Sequence, residues 1–248
     1  MRKCAFCDHE GKLSQEHIAA QWVRDLFPGP IRAFYGDKGK LSPEFKMNQV
    51  NFKAGVVCKP CNETWMSELE EKDAKLILSP LITGQFKGGL DQDAGGSIAR
   101  YAFKTAVVLD HANRKNDPFF SQQLRNEFRE TRFIPSFVRI WMCSFPSNRP
   151  KAHYRTVYHD SQTPLGYRFL TYVCTFALGN VAIQVAAIKQ SGNAEFVSTV
   201  DLPKDLAVPI WPAIPRNLIW PHHRFLKGDS DFSLFATRWA NIYVLGYG

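Results

Sequence analysis

Two Cys-x-x-Cys pairs, Cys4-Ala-Phe-Cys7 and Cys58-Lys-Pro-Cys61, constrain this chain more than any other feature. In a reducing compartment such pairs bind metal rather than close disulfides. Four thiolates complete a tetrahedral zinc shell with bonds of about 2.3 Å. About fifty residues separate the pairs, against about 15–20 in an ordinary zinc ribbon. A structureless loop of that length is rare in a compact domain, so the loop is expected to carry structure and chemistry of its own. His9 reads as a surface residue, because four cysteines already fill the shell. Cys143 and Cys174 stand alone in apolar, strand-like segments and read as small buried hydrophobes.

The loop opens with Ser14-Gln15-Glu16-His17, and Asn62 follows the last cysteine directly. A tetrathiolate zinc is coordinatively closed and cannot activate water. Catalysis here therefore calls for a second cation on harder ligands. Glu16 and Asn62 offer oxygen donors of the kind Mg²⁺ prefers. The imidazole of His17 can take a proton from a water attacking phosphorus, and the cation stabilises the leaving oxygen. These three residues, framed by zinc knuckles, make a candidate phosphodiesterase site.

The combination Cys4-x-x-Cys7, Glu16-His17 and Cys58-x-x-Cys61-Asn62 resembles the HNH endonuclease family in its zinc-bound ββα-metal form. The run from Val57 to Glu70 is similar to one branch of bacterial and phage HNH proteins. The resemblance covers roughly residues 1–80. It implies His17 as general base, Glu16 as a ligand of the catalytic Mg²⁺ or Mn²⁺, and Asn62 as the third signature residue. Glu16 stands where Asp is commoner. For the middle Asn of the signature, Asn48 and Asn51 are the candidates, and neither is at the usual distance.

The formal net charge is +8, unevenly distributed. Residues 1–80 hold twelve Lys/Arg and eleven Asp/Glu, whereas residues 81–248 hold nineteen and twelve. A basic C-terminal part favours polyanions through phosphate contacts. Arg125, Arg129 and Arg132 are its candidate nucleic-acid-binding residues, with Arg139, Arg149, Lys151 and Arg155 beyond them. The expected partner is DNA, with RNA the open alternative. Double-strand cutting would need a dimer or successive nicks. No apolar run reaches the length of a bilayer span, and the chain enters its first knuckle without room for a signal peptide. A cytoplasmic protein is expected.

Periodicity predicts an α+β protein. A helix is expected over 18–27, with Glu16 and His17 at its entrance and Pro28-Gly29-Pro30 at its end. Residues 31–55 suit a loop with short strands. After Cys61, Trp65, Leu69 and Leu76 predict a helix to about Leu78, ended by Ser79-Pro80, with Trp65 as a core anchor. The division is a zinc-bound ββα-metal domain over 1–83, a linker over 84–96, and a larger α+β domain over 97–248. That second domain is expected to open with a helix capped by Ser97, add a helix over 119–128, and continue as an antiparallel sheet. Its strands are Phe137–Cys143, Tyr154–Tyr158, Tyr167–Phe176 and Val181–Ile188, the last two joined by a Gly179-Asn180 turn. Ile210-Trp211-Pro212 and Ile219-Trp220-Pro221 form a local echo. His222-His223 has no acidic or cysteine neighbour at ligand spacing and is not read as a second metal site. A last segment over 232–243 reads as helical, then extended.

The leading expectation is a metal-dependent DNA endonuclease. One alternative is a zinc-ribbon nucleic-acid-binding protein that cuts nothing; another is a ligand-gated nuclease effector of phage defence.

Overall fold

The computed structural model describes residues 3–7, 9–27, 31–37, 40–41, 45–47, 53–113, 117–146, 151–162, 168–190, 207–216, 218–223 and 225–242. At 15–17, 32–37, 40–41, 45–47, 151, 161–162, 190 and 238–242 it describes the backbone alone. Asn48, Asn51, Arg149 and the Pro28-Gly29-Pro30 stop lie outside the described residues.

Strand β1 (Leu13–His17) pairs antiparallel with β5 (Lys53–Cys58), placing Leu13 opposite Cys58 and His17 opposite Lys53. Glu16 and His17 therefore lie in a strand and not at a helix entrance. Pairing with β5 holds them extended, and helix α1 is only Gln21–Asp25, burying Trp22 and Val23. Between these strands run β2 (Ile31–Asp37), β3 (Lys40–Leu41) and β4 (Phe45–Met47), as the glycine-punctuated pattern suggests.

From the end of β5 a helical run, α2, covers 59–82. Its ends are α-helical (Lys59–Cys61 and Lys75–Ile82), and two π-helical pieces lie between them (Asn62–Met66 and Leu69–Ala74). Met66, Glu70, Ala74, Leu78 and Ile82 are all buried. An interval of four drifts about 40° per step around a 3.6-residue helix. The wider π turns absorb that drift and hold the row on one face. They also turn Leu76 outward, where it is 76% exposed rather than packed. Pro80 sits inside the last piece, and the run goes on to Ile82.

Where a linker over 84–96 is expected, the chain forms β6 (Gly88–Leu90) and begins α3 (Gln92–Asn113). Ser97 is thus a buried mid-helix residue and not a cap. α3 is buried around most of its surface, as an apolar central helix should be. It touches β5 and α2 on one side and the main sheet on the other. Helix α4 (Gln122–Thr131) follows, with Ser121 Oγ accepting the Leu124 N–H at 3.3 Å.

The main sheet comprises β7 (Arg139–Ser144), β8 (Lys151–Gln162), β9 (Arg168–Leu178), β10 (Val181–Gln190) and β11 (Val208–Trp211), in the antiparallel order β11-β7-β10-β9-β8. β2 joins parallel to β8, carrying β3 and β4. The amino-terminal loop thus completes the carboxy-terminal sheet. β12 (Leu218–Trp220) pairs with β6, and α5 (Asp229–Ile242) closes the far face. Along β10, Val181, Ile183, Val185 and Ala187 enter the larger core with α3, while Ala182, Ala186 and Ile188 enter a second core under α5. One apolar cluster runs from Cys4 to Trp220, across the expected domain boundary. No described helix is long and apolar enough to cross a membrane.

Buried polar groups pin these layers. Lys104 on α3, fully buried, forms an ion pair with Glu70 of α2. Asp110 accepts the N–H groups of Phe119 and Phe120 and the Tyr158 hydroxyl, each at 3.0 Å. Gln184 Nε2 donates to Thr175 Oγ1 and to the Phe235 carbonyl, both at 2.9 Å, fastening α5 to the sheet. Cys143 and Cys174 are buried, and desolvation pushes both thiols up to about 12, which fits inert packing residues.

The Gly179-Asn180 turn also caps α2. The backbone N–H and side-chain Nδ2 of Asn180 donate to the Ile82 carbonyl at 3.0 and 2.9 Å. Gly179 has φ +54, and a Cβ there would lie 2.3 Å from that carbonyl oxygen. Gly179→Ala should therefore cost about 1–3 kcal/mol in denaturant unfolding. Gly89→Ala, whose Cβ would meet nothing within 4 Å, should change stability little. The buried ion pair supports a second expectation. Lys104→Met should destabilise by about 3–5 kcal/mol, because it leaves Glu70 uncompensated, and Glu70→Leu in the same chain should recover most of that loss.

Candidate metal centre

The two cysteine pairs meet because β5 carries Cys58 to the start of α2 and the first knuckle folds onto β5. Ala5 N–H donates to Val56 O at 2.8 Å, and Cys4 N–H to His9 O at 3.0 Å. Ser14 Oγ donates to Val57 O at 2.7 Å, tying β1 to the same strand. The result is a cluster in which all four sulfurs lie within 4.8 Å of one another. Cys7 and Cys58 are 3.6 Å apart. A tetrahedron with bonds of about 2.3 Å has edges of about 3.8 Å, so the donor set fits zinc. It is the one such group among the described residues.

The surroundings favour thiolates. Cys58 N–H and Phe6 N–H approach Cys4 Sγ at 3.3 and 3.5 Å. A hydrogen bond from the Cys61 thiol, with help from those two N–H groups, holds Cys4 down to about 4. Burial pushes Cys58 up to about 11, and the bond to Cys4 pushes Cys61 up as well. Four sulfurs this close share one negative charge easily and resist more. A divalent cation removes that resistance. The indole N–H of Trp65, buried and without an oxygen or nitrogen partner, favours the Cys61 thiolate. Trp65 is also the expected core anchor, edge-on to Phe6 at 4.9 Å and to Phe128 at 5.9 Å. His9 is exposed, as expected.

The arginines expected at a nucleic-acid face stand on α4 and its end, against this cluster. Arg125 is 3% exposed. Its Nε donates to Ala5 O at 2.6 Å, its NH2 to Gln122 Oε1 at 2.6 Å, and its NH1 to Phe120 O. So placed it braces the first knuckle and offers no face to a phosphate. Arg129 and Arg132 keep partly exposed ends. The charges of Cys61 and Cys7 reach Arg129, that of Cys61 reaches Arg132, and that of Cys4 reaches Arg125. Arg132 also lies 4.5 Å over the Trp65 ring. A zinc tetrathiolate carries two net negative charges, and three guanidinium groups around it offset them. The helix expected over 119–128 stops short of Arg129 and Arg132; α4 runs on to Thr131 with Arg132 as its left-handed cap, and what these arginines meet needed the fold. Arg155 is likewise buried, donating to Ser233 Oγ at 3.0 Å.

Glu16 and His17 enter this neighbourhood through the backbone, on the strand paired with the one that delivers Cys58. The ladder shifts register between Ser14 and Glu16. Asn62, half-buried, opens the first π-helical piece one residue past Cys61. The backbone thus sets Glu16 and His17 opposite Ala54 and Lys53 at the beginning of β5, and Asn62 just past its end. Comparison with known protein families, curated proteins and solved structures finds no match to this chain.

Elemental analysis of the purified chain should give one zinc per molecule. Cys61→Ser should lose that zinc and unfold at markedly lower temperature. Arg125→Met should keep the zinc but cost about 1–3 kcal/mol, because it strands the Ala5 and Phe120 carbonyls.

Proposed function

We propose that this chain is a metal-dependent endonuclease of the HNH type, hydrolysing phosphodiester bonds of DNA. The observation that carries the reading is the order of elements at the cysteine cluster. An antiparallel pair, β1 with β5, bears Glu16 and His17 on its first strand and runs directly into a helix with Asn62 in its opening turns. The four-cysteine cluster holds the two ends of that unit together. A ribbon that only bound nucleic acid would need neither this elaborated loop nor the acid–histidine pair.

In this reading the His17 imidazole accepts the proton of the attacking water. The oxygens of Glu16 and Asn62 are hard donors suited to Mg²⁺ or Mn²⁺, which when bound supplies charge stabilisation at the leaving oxygen. The zinc site takes no part in the chemistry and acts as a rigid clasp. Arg129 and Arg132, beside the cluster and partly exposed, are the residues of the original set still open to phosphate. The cleaved polymer is DNA in this proposal, and RNA is the substrate to compare.

Supercoiled plasmid with Mg²⁺ or Mn²⁺ tests the idea. Wild type should nick or linearise it, and His17→Ala should slow cleavage by about a hundredfold or more while retaining its zinc. If both bind DNA and neither cuts it with either ion, the chain is a zinc-dependent binding protein and the nuclease reading fails.

A further inference from the structure

The Ile-Trp-Pro echo plays no part in the reading above, yet the strands that carry its two copies border a common space. β11 holds the first copy and β12 the second, and both continue into cis Trp-Pro peptides, at Trp211-Pro212 and Trp220-Pro221. A groove of about 640 Å³ opens between them, lined by Val208, Pro209, Leu218, Ile219, His222 and His223 among others. That volume lies in the range of small-molecule sites, which are mostly apolar with a few placed polar groups.

Two features make the groove more than a surface dent. The first is the exposure of Ile219. On β12, Leu218 and Trp220 are buried as anchors, while Ile219 between them is 69% exposed. Its cross-strand partner on β6 is Gly89, which has no side chain to cover it. The second is the pair of imidazoles. His222 and His223 stand with ring centroids 4.2 Å apart. The backbone N–H of His222 donates to Ser144 Oγ at 3.1 Å, which ties the pair to the end of β7. The Ile219 wall is thus held by the pairing of β12 with β6, and the imidazoles by the end of β7, before any ligand arrives.

Charge selects the ligand. None of the residues lining the groove is acidic, and its ionisable side chains are the imidazoles of His222 and His223. A cation would find no carboxylate there, whereas an anion finds donors at one end and aliphatic surface along the rest. We propose that this groove binds a small amphiphilic anion, with its apolar body against Ile219 and Leu218 and its carboxylate, sulfonate or phosphate group at His222 and His223. The proposal does not depend on the nuclease reading, and either can fail without the other.

The probe is anilinonaphthalene sulfonate, titrated by fluorescence into the full zinc-loaded chain, with the neutral N-phenyl-1-naphthylamine alongside. Wild type should bind one sulfonate probe per chain and prefer it to the neutral one. Ile219→Ser, at an exposed position, should keep the melting temperature and weaken binding by about tenfold. His223→Gln should weaken the sulfonate probe by about fivefold and leave the neutral probe unchanged. Several equivalent probe sites, or affinities that neither variant moves, would overturn the proposal. Displacement of the probe by a short single-stranded DNA would also overturn it, by assigning the groove to nucleic acid.

Discussion

The closure of four sulfurs between residues 4–7 and 58–61 is the contact on which the rest of this structure depends. It joins positions 51 residues apart at Cys7 and Cys58 and sets β5, β1 and the start of α2 in one place. From there α2 can run only one way, and its π-helical middle keeps Met66, Glu70, Ala74 and Leu78 turned inward along its length. Four thiolates in so small a volume repel one another strongly in a low dielectric. As a tetrathiolate the cluster needs a cation inside it, and the positive charge of Arg125, Arg129 and Arg132 lies around it.

The interior beyond the cluster is organised by a few buried polar groups. Glu70 and Lys104 register α2 against α3, Asp110 holds the approach to α4, and Gln184 locks α5 to the sheet. Buried polar groups of this kind cost heavily when half-satisfied. They therefore specify one arrangement of layers where apolar contacts alone would tolerate several. Burial favours the neutral form of Asp110, and three hydrogen-bond donors oppose that preference. The Asn180 amide at the end of α2 works to the same effect, because it makes the β9–β10 turn a cap for a helix nearly a hundred residues earlier.

The segment between the cysteine pairs serves both halves of the molecule. Its first strand pairs with β5 beside the metal centre, and its second, β2, extends the main sheet at β8. The proposed catalytic residues and the sheet are thus connected by a short stretch of chain. The stretch 84–96, expected as a linker, carries secondary structure. The glycines and polar residues there form β6 and the opening of α3, because pairing with β12 and packing against the sheet outweigh local propensity.

The sequence by itself determined the local and the chemically specific parts of this protein. Cysteine spacing was enough for the metal centre, because thiolates at that spacing have few other uses in a reduced chain. The Gly179-Asn180 turn, the four main strands, the helical run after Cys61 and a helix near 119–128 were legible because turn chemistry and hydrophobic period are local properties. Tertiary structure decided what periodicity cannot contain. It turned Glu16 and His17 from a helix entrance into a strand through a partner forty residues away, and put Leu76 outside through π turns. It also placed Arg125 under the first knuckle rather than at a phosphate. Each of these depends on which distant surface a residue meets, and burial and charge are properties of that meeting rather than of the residue alone.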